Sequence, residues 1–285
     1  MKKIPDNLLE PSQQQLNNLL KYYQTGQYDD AEKLSLSITQ EFPKHIFAWK
    51  VLAAVLKQTG RINESLIISQ KTVQLDPQDA KAHNNLGIIM REMGRLEEAE
   101  ASYRQAIKLK PDLAEAYSNL GIVMKELGRL EEACSAFIQA INLNPNFTDA
   151  YANLAFLIKN VRFTSSNVNL YPFLIQLINS GNYVRPLDLA PSILSLLKHD
   201  PLIKNLLLEE NFATNFEEAN SIINSLDKLT LLHQLMRVCP LPDLQFEGFF
   251  VSMRSLILTN LNNFKATPEF IYFLSTLSLH CFTNE

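Results

Sequence analysis

Four prolines, Pro43, Pro77, Pro111 and Pro145, recur at a step of 34 residues along this chain of 285. Four glycines, Gly26, Gly60, Gly94 and Gly128, keep the same step. Proline lacks a backbone donor and ends a helix, whereas glycine enters left-handed turns at no steric cost. Two interruptions in one register cut the first half of the chain into short segments of fixed length. Within a segment the apolar residues recur at helical spacing: Leu86, Met90 and Met93 before Gly94, then Leu96, Ala99, Tyr103 and Ala106 before Pro111. Each copy therefore reads as two helices, joined at the glycine and closed at the proline. Small Ala99, Ala106, Ala133 and Ala140 let the two helices approach closely. A lone pair leaves an apolar face bare, so the copies must stack on one another.

The two central copies show the pattern in full. His83-x₂-Leu86-Gly87-x₂-Met90…Ala99-x₃-Tyr103…Pro111 is followed by Tyr117-x₂-Leu120-Gly121-x₂-Met124…Ala133-x₃-Phe137…Pro145. Both period and pattern resemble the tetratricopeptide repeat, and Trp49 and Leu52 fill the same slots one copy earlier. The resemblance implies an all-α fold: a right-handed superhelix of helix hairpins, with the first helix of each pair lining a concave side. The copies expected are 12–45, 46–79, 80–113 and 114–147, after a lead-in at 1–11. An extra helix at 148–160, with Tyr151, Leu154 and Ala155, completes an array over 12–160. The outer copies depart from the pattern. Ser35 stands in the aromatic slot of the first, and Ser65 and Ser69 stand where alanine and an aromatic are usual in the second. Beyond Asn160 the register fails, with Arg162 where glycine is due.

Residues 161–285 hold 19 charged side chains against 37 in the first 160, which marks a second region of different composition. Its helical signals have no period. Pro186-Leu187-Asp188 opens a run to Lys198, and Asp200-Pro201 caps the next. Thr214-x-x-Glu217 reads as a capping box. Pro242-Asp243 starts a helix reaching about Leu261, and Thr267-Pro268-Glu269 begins the last. The expectation is an all-helical domain over 161–285 that caps the array. Leu231–Leu258 and Phe273–Glu285 resemble the helical segment between the repeat array and the methyltransferase domain of bacterial S-adenosylmethionine-dependent methyltransferases that carry such repeats. That resemblance implies a bacterial chain that is the recruiting region of a larger transferase, with its catalytic domain beyond residue 285.

No catalytic motif is legible. The eight glycines are spent on inter-helix turns and on the packing positions Gly87 and Gly121, leaving Gly181 and Gly248 far apart. A nucleotide loop needs glycines clustered. His280-Cys281, His233, Cys134 and Cys239 read as packing residues, with no base and orienting partner at suitable spacing. The paired acids Glu97-Glu98 and Glu131-Glu132 open second helices, where the macrodipole favours negative charge. No cofactor and no metal site is expected, and the chain reads as a non-enzyme. A net charge of −4 argues against nucleic acid or an anionic membrane as partner. Met1-Lys2-Lys3 leads into no apolar run, so no secretory signal is expected. Three scattered cysteines suit a reducing, cytoplasmic setting. The apolar run at Phe270–Phe282 is shorter than a membrane span and is expected to be a buried helix.

The candidate site is the face of the first helices. One slot holds Asn17, Val51, Asn85, Asn119 and Asn153 in successive copies. Another holds Leu20, Ala54, Ile88, Ile122 and Phe156, and a third Tyr23, Lys57, Arg91, Lys125 and Lys159. An asparagine ladder can both donate to and accept from the main chain of an extended peptide. The apolar strip would take alternate side chains, and the basic ridge would favour acidic segments. The ladder is similar to that of the O-linked N-acetylglucosamine transferase superhelix. The carboxylate clamp of chaperone-tail-binding members lacks its second asparagine here, since Leu20 and Ile88 occupy that slot. The function expected is a non-catalytic protein- or peptide-binding scaffold, with the transferase region and a self-associating scaffold as alternatives.

Overall fold

Each glycine of the repeating series ends a helix. In the computed structural model Gly26, Gly60, Gly94 and Gly128 have φ of 75°, 77°, 73° and 75°, the left-handed region that any Cβ resists. The following residue donates its N–H back five positions, as Arg61 does to the Leu56 carbonyl at 2.8 Å and Arg95 to Met90 at 2.9 Å. Gly60 itself donates to Lys57 at 3.0 Å. Together these bonds satisfy carbonyls that a helix end leaves orphaned and turn the chain into the next helix.

The structure describes residues 10–180, 184–208, 216–226, 228–239, 241, 243–259 and 268–283. Among them every regular element is helical and no strand is present. The chain divides into two units, Met1–Phe147 and Thr148–Glu285.

In the first unit α1 (Gln13–Gln24) pairs with α2 (Tyr28–Glu41), α3 (Ile46–Gln58) with α4 (Ile62–Leu75), α5 (Ala80–Glu92) with α6 (Leu96–Leu109), and α7 (Ala114–Glu126) with α8 (Leu130–Leu143). Each second helix also packs on the next first helix, and α1 touches α3 as α5 touches α7. This is the single-file stacking expected of helix hairpins.

Within a hairpin the two helices fit by volume. Gly87 lies under the Tyr103 ring, and a Cβ built on it would meet Tyr103 Cε1 at 2.7 Å. Gly121 stands in the same relation to Phe137, with the added Cβ again 2.7 Å from the ring. Both rings are wholly buried. Between copies, Trp49 donates its indole N–H to the Pro43 carbonyl at 2.8 Å, and His83 Nε2 lies 3.0 Å from the Pro77 carbonyl. The helix-start slot thus ties α3 and α5 to the loops before them.

The acids that open the second helices meet basic partners. Arg61, Arg95 and Arg129 fork onto Glu64, Glu98 and Glu132 three residues on, at 2.5 to 2.7 Å. These hydrogen bonds hold the three glutamates below the usual carboxylate range. Arg61 also reaches Glu32 at 2.6 Å and Arg129 reaches Glu100 at 2.8 Å, joining neighbouring copies. Such exposed pairs set register more than stability.

The second unit contains α9 (Thr148–Lys159), a short 3₁₀ turn at Val168–Leu170, and α10 (Tyr171–Ser180) to α16 (Pro268–Thr283). Helix α11 (Pro186–Leu197) packs on α9 and on α14 (Thr230–Val238), and α14 also meets α10 and α16. Helices α12 (Pro201–Leu208) and α13 (Phe216–Leu226) pack on α15 (Leu244–Thr259). Its core is apolar, with Leu154, Ile193, Leu235, Phe246, Phe250 and Phe273 buried. Asp200 starts α12, its carboxylate accepting the Leu202 N–H at 2.8 Å and the Tyr171 hydroxyl at 2.6 Å. Asp243 starts α15 by accepting the N–H groups of Gln245 and Phe246. Thr214, Gly181, Pro242 and Thr267, named from the sequence, lie outside the described residues. Among the described residues no helix is long and apolar enough to cross a membrane.

An added Cβ at Gly94 would lie in open space, so its cost is backbone conformation alone. Gly94→Ala is expected to destabilise by about 1 kcal/mol, and Gly94→Asn by less, since asparagine tolerates this region. Urea unfolding of the two variants checks this, and an alanine variant as stable as the parent would contradict it.

Candidate functional site

The first-helix face is built by α1, α3, α5 and α7, whose outward slots repeat every 34 residues. The structure gives those slots different surroundings. Asn17 is exposed on α1, its side-chain carbonyl accepting from Gln13 Nε2 at 2.9 Å. Val51, in the same slot of α3, is buried. Asn85 is exposed on α5. Asn119 is half-buried on α7 and donates to the Asn84 side-chain carbonyl at 3.0 Å, while Asn84 is itself only 4% exposed. Asn119 therefore joins α7 to α5, and Asn85 is left for another partner. Asn153 belongs to α9 in the second unit, where it is half-buried.

The apolar strip is half-buried at Ala54, Ile88 and Ile122, whereas Phe156 on α9 is 61% exposed. The basic ridge is largely spoken for. Lys57 pairs with Glu92 at 2.9 Å across adjacent copies, and Lys159 pairs with Asp188 at 3.4 Å within the second unit. Arg91 and Lys125 are half-buried. Burial pushes the Tyr103 phenol well above its ordinary range, with the Arg91 charge pulling against it. Lys50, two turns before Lys57 on α3, forms an ion pair with Asp79. Asp79 caps α5 by accepting from the Lys81 and Ala82 N–H groups. Burial alone would raise the Asp79 carboxyl, but Lys50 and these donors bring it below its usual range.

Three successive copies converge on one open cavity of about 220 Å³. Tyr23 from α1, Ala54 and Lys57 from α3, Ser69 from α4, and Asn85 and Ile88 from α5 line it. Four of these residues come from the two outer slots and one from the asparagine slot. Ser69 was not among the sequence candidates. A second cavity, of about 450 Å³, opens elsewhere in the first unit between α6, α7 and α8. Tyr117, Leu120 and Met124 form its apolar side, with Arg104, Glu131 and Glu132 at the rim. The candidate slots contribute nothing to it, because α7 lines it with Tyr117, Leu120 and Met124, which belong to other slots.

Reactive groups are quiet. Burial pushes the Cys134 thiol up to about 12 and the Cys239 thiol up to about 11, far from a nucleophilic thiolate at neutral pH. His233 is 1% exposed, lies 3.2 Å from the Leu226 carbonyl through Nε2, and packs its ring 4.9 Å from that of Tyr272. The side chains of His280 and Cys281 lie outside the described residues. Among the described residues no cluster of three or more His, Cys, Asp or Glu could hold a metal.

Comparison with known families matches tetratricopeptide-repeat models to residues 69–101, 89–128 and 114–147. A comparison with curated protein sequences found no match. Among solved structures, that of PilF from Pseudomonas aeruginosa is 20% identical, covers 83% of this chain and 95% of its own, and superposes with a TM-score of 0.52. YrrB, described as a TPR protein with an unusual peptide-binding site, is 16% identical over 59% of this chain and 86% of its own, with a TM-score of 0.46. The first TPR of Spaghetti (RPAP3), bound to an HSP90 peptide, is 22% identical over 39% of this chain and 89% of its own, with a TM-score of 0.38. At this identity the likeness to PilF is one of fold. The sequence pattern, the stacked hairpins and the matched models agree that this chain carries tetratricopeptide repeats.

Removing the Asn119 amide leaves the buried Asn84 carbonyl unpaired. Asn119→Ala is expected to destabilise by about 1–2 kcal/mol, whereas exposed Asn85→Ala should stay within about 0.5 kcal/mol. Thermal and urea unfolding separate the two; equal effects would contradict the division of roles.

Proposed function

We propose that the tetratricopeptide array is a non-catalytic scaffold that binds an extended segment of a partner protein along its first-helix face. The observation that carries this reading is the 220 Å³ cavity shared by three successive copies. An exposed asparagine, a half-buried isoleucine, a tyrosine and a lysine converge on it, although they are far apart in sequence. Asn85 can donate to and accept from a peptide main chain whatever its side chains. Ile88 and Ala54 supply apolar contact beside it, the mixture typical of recognition pockets. Because Glu92 already neutralises Lys57, the face has less preference for acidic segments than its lysine and arginine count suggests. Arg91 is its most plainly available cation. The reading places the partner on the first unit and assigns the helical second unit no part in the contact.

The test selects peptides from a random display library against the full chain, then measures their affinity for the Asn85→Ala/Ile88→Ser variant. Both substitutions leave the Asn119–Asn84 bond in place, so folding is expected to hold. Selected peptides should bind the variant at least about tenfold more weakly, with an unchanged thermal melt. A library that yields no binder, or binders indifferent to the two substitutions, would contradict the proposal.

A further inference from the structure

The cavity exists because one hairpin is underfilled. The slots that interlock Gly87 with Tyr103 and Gly121 with Phe137 hold Leu19 and Ser35 in the first copy, a large residue facing a small one in reverse order. Leu19 and Ser35 are both wholly buried. In the second copy the same slots hold Ala53 and Ser69, small facing small, and both residues line the cavity. Volume missing from the hairpin is thus open to the first-helix face. At about 220 Å³ it falls below the roughly 300 Å³ at which whole-ligand pockets begin, which suits a single side chain.

The same position is also short of a hydrogen bond. Ser69 is 3% exposed, and its hydroxyl has no partner among the described residues. Ser35, its counterpart in the first copy, donates to the Ala31 carbonyl one turn back at 2.6 Å. Buried hydroxyls are nearly always paired; those of Ser69 and Tyr103 are both without a partner among the described residues, and of the two only Ser69 lines this cavity.

We infer that this slot receives a tyrosine side chain from the bound partner segment, which supplies the aromatic ring that the second copy lacks. The ring enters the cavity beside Ala53 and Ser69, and the Ala53 methyl stops it short of the position that Tyr103 holds over Gly87. The phenol hydroxyl offers Ser69 the partner the fold does not provide. Asn85, at the mouth of the same cavity, is placed to hold the main chain that carries the ring. This inference rests on the first-helix face being the binding face and names the anchor it takes.

The probe is N-acetyl-L-tyrosinamide, one tyrosine with peptide groups on both sides, titrated at millimolar concentration into the full chain. Nitrogen–proton correlation spectra should shift at Ser69, Asn85 and Ile88. N-acetyl-L-alaninamide should shift none of them, and N-acetyl-L-phenylalaninamide should bind several-fold more weakly. Two variants fill the slot from within: Ala53→Leu copies the Leu19–Ser35 pair, and Ala53→Gly/Ser69→Tyr copies the Gly87–Tyr103 pair. Either should raise the melting temperature and weaken tyrosinamide binding by about tenfold or more. Should one fail to fold, the other still decides. No shift with tyrosinamide, as for a cavity that holds water alone, would overturn the inference. So would undiminished binding to the filled variants, and equal binding of phenylalaninamide would overturn the assignment to tyrosine. If tyrosinamide fails while library peptides still depend on Asn85, the slot is wrong and the binding face stands.

Discussion

A bare backbone on one helix beneath an aromatic ring on the next is the contact on which the repeating unit depends. At Gly87 and Gly121 the helices approach so closely that a single methyl would sit 2.7 Å from the ring of Tyr103 or Phe137. Interiors are packed to crystal density, so one slot can be large only where its opposite is small. That rule fixes which helix is first, how the hairpin closes and which face is left over. The left-handed glycines then pass the chain on to the next hairpin, and Trp49 and His83 fasten the second and third copies to the loops before them.

What is left over is the face we propose for recognition, and its character follows from the same rule. Where the two slots are complementary the hairpin is sealed. Where they are not, at Ala53 and Ser69, the shortfall opens between three copies and brings Tyr23, Lys57, Asn85 and Ile88 around it. The electrostatics of the face are modest. Lys57 is matched by Glu92 of the next copy and Lys50 by Asp79, the cap of α5, which makes them part of the stacking. On the proposed reading, recognition is left to shape and to hydrogen bonding, with Asn85 and the Ser69 hydroxyl as the polar points.

The array could be read from the chain because its signals are local and repeated: proline and glycine act on their own backbone, and their register needs no knowledge of the partner helix. The starts of α11, α12 and α16 were legible for the same reason, at Pro186, Pro201 and Pro268. How those later helices pair was not, since no period relates one to another. Within the site the slots were legible and the contacts were not. Asn85 and Asn119 have one address in the repeat, yet the second is tied to Asn84 because that neighbour is buried beside it. Lys57 and Lys159 read as a free ridge until their partners Glu92 and Asp188 arrived from other helices. Ser69 read as decay of the pattern; only the fold shows that Ala53 stands opposite it with neither filling the space.

The complementarity of the two slots is tested most directly by exchanging large for small in a sealed copy. Gly87→Leu alone forces a side chain into the Tyr103 ring and should cost about 2 kcal/mol or more. Tyr103→Ser alone leaves a buried hole and should cost about 3 kcal/mol or more. The double variant Gly87→Leu/Tyr103→Ser recreates the Leu19–Ser35 pair, and its urea unfolding should recover at least about 1 kcal/mol relative to the summed single losses. A double variant no more stable than that sum would mean that the slots do not compensate each other, and the account of both the hairpin and its open cavity would fall.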